Sequence, residues 1–228
     1  MRQPKAILGG AMICVLLAGC GSSVVNAEPV TPTRTPIPRP LVERELPDLL
    51  LRPEQVDEAM GTTGMAPRNS SPTLADSSSD MAPHECLAVD AAGEALVYAD
   101  SGYRASLDES LNNGDDFSHY LKQAVVLFPL VEKAEAFFNA SAQQWPACRY
   151  YTHLQSGTEW VPGPVANADG VLSVVSTQQQ AKAGGWACGR ALALRNNVII
   201  DINTCAANPE ESAVRVAKRI AANVSAKW

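Results

Sequence analysis

Apolar and polar positions alternate along this chain with two different periods, and the change of period marks out its elements. Tyr103, Ala105, Leu107 and Leu111 alternate with polar residues, and a second β-rich run covers Tyr120 to Phe128. Asn112-Asn113-Gly114-Asp115-Asp116 lies between them, so the two runs read as an antiparallel hairpin. Turn chemistry accounts for its acidic pair better than a metal site does. From about Leu130 to Gln144 the spacing becomes helical, with Leu130, Ala134, Phe137, Phe138 and Ser141 on one face and Pro146 as the stop. Strands are predicted at about 148–154, 158–163, 171–178, 185–195 and 198–206. A closing helix follows, with Asn208 as N-cap, Pro209 at its first position and Glu211 at its third, close to a capping box. Its buried stripe reads as Val214, Ala217, Ile220, Ala221 and Val224. Upstream, a short helix starts at Pro53 and stops at Gly61, and Asn69 to Pro83 reads as a Ser/Pro/Asp-rich loop. Strands interrupted by two longer helices predict an α+β fold, a mainly antiparallel sheet packed against helices in a single domain.

The N-terminus has a different pattern. Arg2 and Lys5 precede an uncharged apolar run from Ala6 to Ala18, too short to span a bilayer and of signal-peptide form. The run ends in Leu17-Ala18-Gly19-Cys20, which resembles the lipobox of bacterial lipoproteins. That resemblance implies removal of residues 1–19 and a diacylglyceryl group on the Cys20 thiol. The other reading is an ordinary secretory signal with an incidental cysteine. One acyl chain holds a protein on a membrane only marginally, whereas a diacylglyceryl group with a further N-acyl chain makes a stable anchor. The expected location is the extracytoplasmic face of the cell membrane, with the membrane as partner through acylated Cys20. Pro29, Pro32, Pro36, Pro38 and Pro40 interleave with Thr31, Thr33 and Thr35, so residues 20–46 read as a Pro/Thr-rich tether and 47–228 as the folded domain.

Charge and cysteines narrow the partners. The net charge is −6, more negative still without Arg2 and Lys5, and no basic stripe appears. Nucleic acid is therefore excluded as a partner, and anionic headgroups would repel the chain. Of six cysteines, Cys14 leaves with the signal peptide and Cys20 is acylated. An even set of four remains in an exported chain, which favours two disulfides over a zinc site, since no pair has C-x₂₋₄-C spacing. Asn196-Asn197 suits a two-residue type I′ turn. Counting outward from Arg195 opposite Val198 brings Cys188 opposite Cys205 at a non-hydrogen-bonded pair, where Cα atoms lie closest. Cys86 and Cys148 pair by exclusion.

Catalytic signatures are missing. No nucleophile elbow, Walker A or dinucleotide glycine motif occurs, and no cofactor is expected. His84-Glu85 starts like a zincin motif, but Ala88 stands where the second histidine belongs, so no metal is expected. His119 and His153 fall in predicted strands. Trp145, Trp160 and Trp186 suit either a ligand site or core packing, the commoner use. With the mature cysteines bridged, no thiol nucleophile remains.

Particular residues are similar to the PknH-like extracellular domain family. They are Asp115-Asp116 before Ser118-His119, Gln123-Ala124-Val125-Val126, Phe128-Pro129, Ala136-Phe137-Phe138, Trp145 and Cys148. Gly185-Trp186-Ala187-Cys188, Arg190-Ala191-Leu192, Arg195-Asn196-Asn197-Val198 and Asp201 continue the match over about residues 48–225. The family comprises the sensor domain of a mycobacterial receptor Ser/Thr kinase and many mycobacterial lipoproteins. The resemblance implies an α+β sheet with two disulfides and a cleft that takes a ligand. It points to a non-catalytic, sensor-like domain binding a small-molecule or envelope ligand or a partner. A lipid or glycolipid carrier of the envelope is the alternative.

The hairpin register selects a candidate site for that cleft. Val198, Ile200 and Ile202 share a face with Ala191, Ala193 and Arg195, where the alanines leave room for a helix. The opposite face carries Trp186, the Cys188–Cys205 bridge, Arg190 opposite Asn203 and Leu192 opposite Asp201. Trp186, Arg190, Asp201 and Asn203 are the candidate ligand-binding residues. Arg190 and Asp201 are diagonal neighbours with two readings: Arg190 presented to an anionic ligand group, or a structural ion pair fixing the hairpin.

Overall fold

The computed structural model describes residues 38–227. The expected signal peptide, Cys20 and the tether as far as residue 37 lie outside the described residues. Ten strands form one sheet: β1 (Ala66–Ser71), β2 (Met81–Ala82), β3 (Ala105–Asn112), β4 (His119–Leu127), β5 (Tyr151–His153), β6 (Thr158–Pro162), β7 (Ala166–Ala168), β8 (Val171–Gln178), β9 (Ala187–Arg195) and β10 (Val198–Ala206). The spatial order is β1-β3-β4-β10-β9-β8-β6-β5-β2, with β7 added to β8, and the strands pair antiparallel. The helices are α1 (Pro53–Met60), α2 (Leu87–Asp90), α3 (Ala95–Tyr98), α4 (Val131–Gln144) and α5 (Ser212–Ser225).

Strand β10 is buried at every position because the sheet carries a core on each face. On the first face, Val198, Ile200, Ile202, Ala191 and Ala193 meet Val216, Ala217, Ile220 and Val224 of α5, together with Leu49, Leu51 and Val56 from the N-terminal part of the domain. The small alanines of β9 let the helix approach, as the register requires. On the second face, Val126, Leu172, Val174, Leu192 and Ile199 meet Leu87, Tyr98, Phe138 and Trp145.

The domain begins earlier than residue 47. Leu41 and Leu46 are 3 % and 2 % exposed, within the first core. Asn197 explains why: its side-chain oxygen accepts the Leu41 amide at 2.8 Å, and its amide nitrogen donates to the Leu41 and Phe128 carbonyls. Buried Gln123 pins the chain again further on, accepting the Leu51 amide and donating to the Leu51 carbonyl, both at 2.9 Å. Proline content alone does not reveal these long-range bonds.

Three local expectations are corrected. The segment read as loop from Asn69 contains the second half of β1, a polar edge strand with Pro67 and an irregular register between Pro67 and Asn69, and all of β2. Such edge features have no apolar alternation to announce them. Helix α5 starts at Ser212, since Glu210 takes φ 46° and leaves Asn208-Pro209 in a turn; Ala213 and Val216 are buried in place of Val214. At the β9–β10 turn, Asn196 has φ 53° and Asn197 does not follow it into the left-handed region, so the turn departs from the expected type I′. The turn still has two central residues, so the register is unchanged: Arg195 faces Val198, and Cys188 faces Cys205.

Candidate ligand-binding groove

The second face divides into a covered half and an open half, and the four candidate residues fall mostly in the covered one. Arg190 and Asp201 are each 2 % exposed and form an ion pair at 2.8 Å. Arg190 also donates to the Ala88 carbonyl at 2.9 Å and to the Ile202 carbonyl, and its guanidinium carbon lies 5.3 Å from the centroid of the Trp145 ring. Asp201 accepts the Gly93 amide at 2.8 Å and the Tyr98 hydroxyl at 3.0 Å. Burial, then the Asp201 charge, raise the Tyr98 hydroxyl well above the usual phenol range. Arg190 is thus not presented to a ligand. The ion pair clamps the segment carrying α2 and α3 onto the sheet. Asn203 donates to the Asp90 carbonyl at 2.6 Å in the same clamp.

Gly93 shows how closely that segment lies. Its φ is 65°, and a Cβ there would sit 3.3 Å from the Ala124 Cβ. The parallel bridge between Ala75 and Glu94 ties this stretch to residues 73–75, which form the facing wall.

Beyond this clamp the sheet is open, and β3 and β4 turn a polar row toward it. Asp108 and Ser110 of β3, Tyr120 and Lys122 of β4, and Asn69, Ser71 and Thr73 enclose a cavity of about 450 Å³. Tyr120 and Lys122 also border a cavity of about 180 Å³ that continues past Asp90, Asn203, His153 and the Cys188–Cys205 bridge. The two cavities share Tyr120 and Lys122 in their walls and lie side by side along the second face as a groove.

Lys122 is held between two buried carboxylates, 3.5 Å from Asp108 and 4.0 Å from Glu94. Burial outweighs that attraction and raises both carboxyl groups above the usual range. Burial, with Asp108, Glu94 and Asp90 nearby, pushes the Tyr120 hydroxyl to about 12. At the far end His153 bonds Asp90 at 2.8 Å, which raises the imidazole. Among the described residues, no group of three or more His, Cys, Asp or Glu is placed to hold a metal ion.

These shifts share a sign. Glu94, Asp108 and His153 each bind a proton more tightly folded than unfolded, so each contributes stability at low pH that fades as pH rises. The carboxyl contributions fade upward from about pH 4 and that of His153 from about pH 6.5. The urea midpoint is therefore expected to fall between pH 5 and pH 8, and His153→Gln to flatten the upper part of that fall. A midpoint rising over this range would contradict the assignment.

Trp186 is half-buried beside the groove, where it packs near Phe117 with ring centroids 6.1 Å apart. The two disulfides are Cys86–Cys148 and Cys188–Cys205, with Cα separations of 5.0 and 4.1 Å. Sequence reasoning missed the groove residues Asn69, Asp108, Ser110, Tyr120 and Lys122, and Glu94 buried behind Lys122. The signal lay in β3, whose Ser106, Asp108, Ser110 and Asn112 alternate with Ala105, Leu107 and Leu111. That polar row has the pattern of a plain solvent face until β1 and residues 73–75 wall it in.

The PknH-like extracellular domain family model matches residues 41–223. The serine/threonine-protein kinase PknH of Mycobacterium tuberculosis is 30 % identical over 232 residues, covering 98 % of this chain and 36 % of the kinase. The Mycobacterium bovis kinase of the same name is 31 % identical, with 98 % and 38 % covered. The chain therefore spans just over a third of the length of these curated relatives. The crystal structure of the extracellular domain of PknH from M. tuberculosis superposes with a TM-score of 0.76 at 30 % identity, covering 82 % of this chain and 98 % of that domain. A match over the whole folded region, with sheet and helices superposing, establishes that this chain belongs to the PknH-like extracellular domain family.

Proposed function

We propose that this protein is a lipid-anchored, extracytoplasmic binding module, without catalytic activity, whose open second-face groove takes a small ligand or a partner group. The single observation that carries this reading is the groove itself: a concave site with several convergent polar side chains, on a sheet fixed by ion pairs and disulfides, in a family named for an extracellular domain. A preformed pocket with a few convergent polar groups is the usual form of a small-molecule site. The anchor rests on the lipobox-like Leu17-Ala18-Gly19-Cys20. The non-catalytic reading rests on a sequence without a nucleophile motif and on four bridged cysteines. A carrier of lipid or glycolipid needs a deep aliphatic void, whereas Asp108, Lys122, Ser71 and Ser110 wall this cavity.

Two experiments test the proposal. Cys20→Ala is expected to abolish labelling by a palmitate analogue and to release the protein from the membrane fraction; labelling that persists contradicts the anchor. For the groove, Ser110→Trp fills the cavity from the β3 position opposite Lys122. Native mass spectrometry of protein extracted from membranes is expected to show a retained small molecule in the parent and none in Ser110→Trp, with similar melting temperatures. Equal retention in both places the binding elsewhere.

A further inference from the structure

We propose that the groove recognises a neutral oligosaccharide, with Phe117 and Trp186 as its stacking platform. This rests on the groove reading above and names the ligand class. The first observation is an aromatic cluster that adjoins the groove through Tyr120. Phe117 lies 6.1 Å from Trp186 and 6.2 Å from Tyr120, centroid to centroid, and Tyr120 is itself a groove wall. Phe117 is 50 % exposed, and with Trp186 and Tyr120 it makes a contiguous aromatic patch instead of a lone surface ring.

The second observation is how the ring is held there. Phe117 takes φ 38° and ψ 42°, a left-handed conformation costly for a bulky side chain. The loop keeps it through Asn113, whose side-chain oxygen accepts the Ser118 and His119 amides while its nitrogen donates to the Ser118 hydroxyl. Trp186 follows Gly184 and Gly185, at φ 101° and 79°, conformations that glycine reaches without strain. Two turns of unusual geometry thus bring two rings to one edge of a polar trough.

The third observation is charge. Lys122, the cation of the groove floor, is already held by Asp108 and Glu94, and Asp90 adds a third carboxylate along the groove. An anionic ligand meets net negative potential here. A saccharide presents C–H faces to the aromatic rings and hydroxyls to Asn69, Ser110 and the Asp108 edge of the cavity. It needs no charge partner.

Saturation-transfer NMR on the full-length protein tests this, with chitotetraose, maltotetraose and cellotetraose as neutral probes and tetragalacturonate as the acidic one. The expected result is saturable binding of at least one neutral probe and none of tetragalacturonate. Phe117→Ala is expected to weaken that binding about tenfold or more, and Phe117→Tyr to preserve it. Ser110→Trp is expected to abolish it. Absence of neutral-probe binding, preferential binding of tetragalacturonate, or binding indifferent to Phe117→Ala overturns the saccharide assignment. If a retained small molecule is nevertheless lost in Ser110→Trp, the groove reading stands without the saccharide; if none is retained either, both fall.

Discussion

Replacing Arg190 by alanine is expected to destabilise the domain by about 3–5 kcal/mol, among the largest effects of any single substitution in this chain. The loss comes from the interior. Arg190 is 2 % exposed, and its partner Asp201 is equally buried. Removing one member leaves the other charged in a medium of low polarity, which costs far more than the pair itself contributes. The Ala88 and Ile202 carbonyls also lose a donor. The neutral pair Arg190→Met with Asp201→Asn separates these contributions, because asparagine still accepts the Gly93 amide and the Tyr98 hydroxyl. The double variant is expected to recover most of the loss, read as the denaturation midpoint. If Arg190→Ala leaves the melting temperature unchanged, the clamp reading is wrong.

Opening the longer disulfide is expected to cost about as much. Cys86 and Cys148 are separated by 62 residues, and Cys188 and Cys205 by 17. The loss of chain entropy in the unfolded state gives about 4 kcal/mol for the first and about 3 kcal/mol for the second. In a domain of this size, 4 kcal/mol is roughly 8–16 °C in melting temperature. The first bridge joins the turn before α2 to the segment after α4, both packed over the second core, whereas the second spans strands already bonded to each other. Paired serine substitutions, followed by calorimetry, are expected to rank Cys86/Cys148 as the more damaging. The reverse order would show that folded-state packing around Cys188–Cys205 outweighs loop entropy.

Local patterns carried much of this fold. The two asparagines at 196–197 set the β9–β10 register, and with it both faces of the hairpin, the Cys188–Cys205 pairing and the helix-covered alanine face. That inference needed only adjacent strands. What lay beyond it depended on partners far apart in the chain. The pairing of β10 with β4 places Lys122 opposite Asn203 and Ala124 opposite Asp201, and no nearby turn encodes it. The segment over Arg190 has no long amphipathic helix to reveal its position, only the four-residue helices α2 and α3, with Gly93 pressed against the sheet. For this reason the polar cluster at Arg190 gave the appearance of an opening, although it is a sealed clamp. The true opening lies two strands away, where polar alternation on β3 resembles an ordinary solvent face. The N-terminal boundary was missed for the same reason, since Leu41 is held by an asparagine 156 positions away.

The central claim is that ligands meet this domain in the groove floored by β3 and β4, and hydrogen exchange tests it most directly. Full-length protein extracted from membranes would be measured with its retained small molecules and again after they are stripped. The expected result is faster exchange after stripping in residues 69–75, 90–94 and 105–122, with α5 unchanged. Changes confined to α5 and the first face, or exchange identical in the two samples, would contradict the claim.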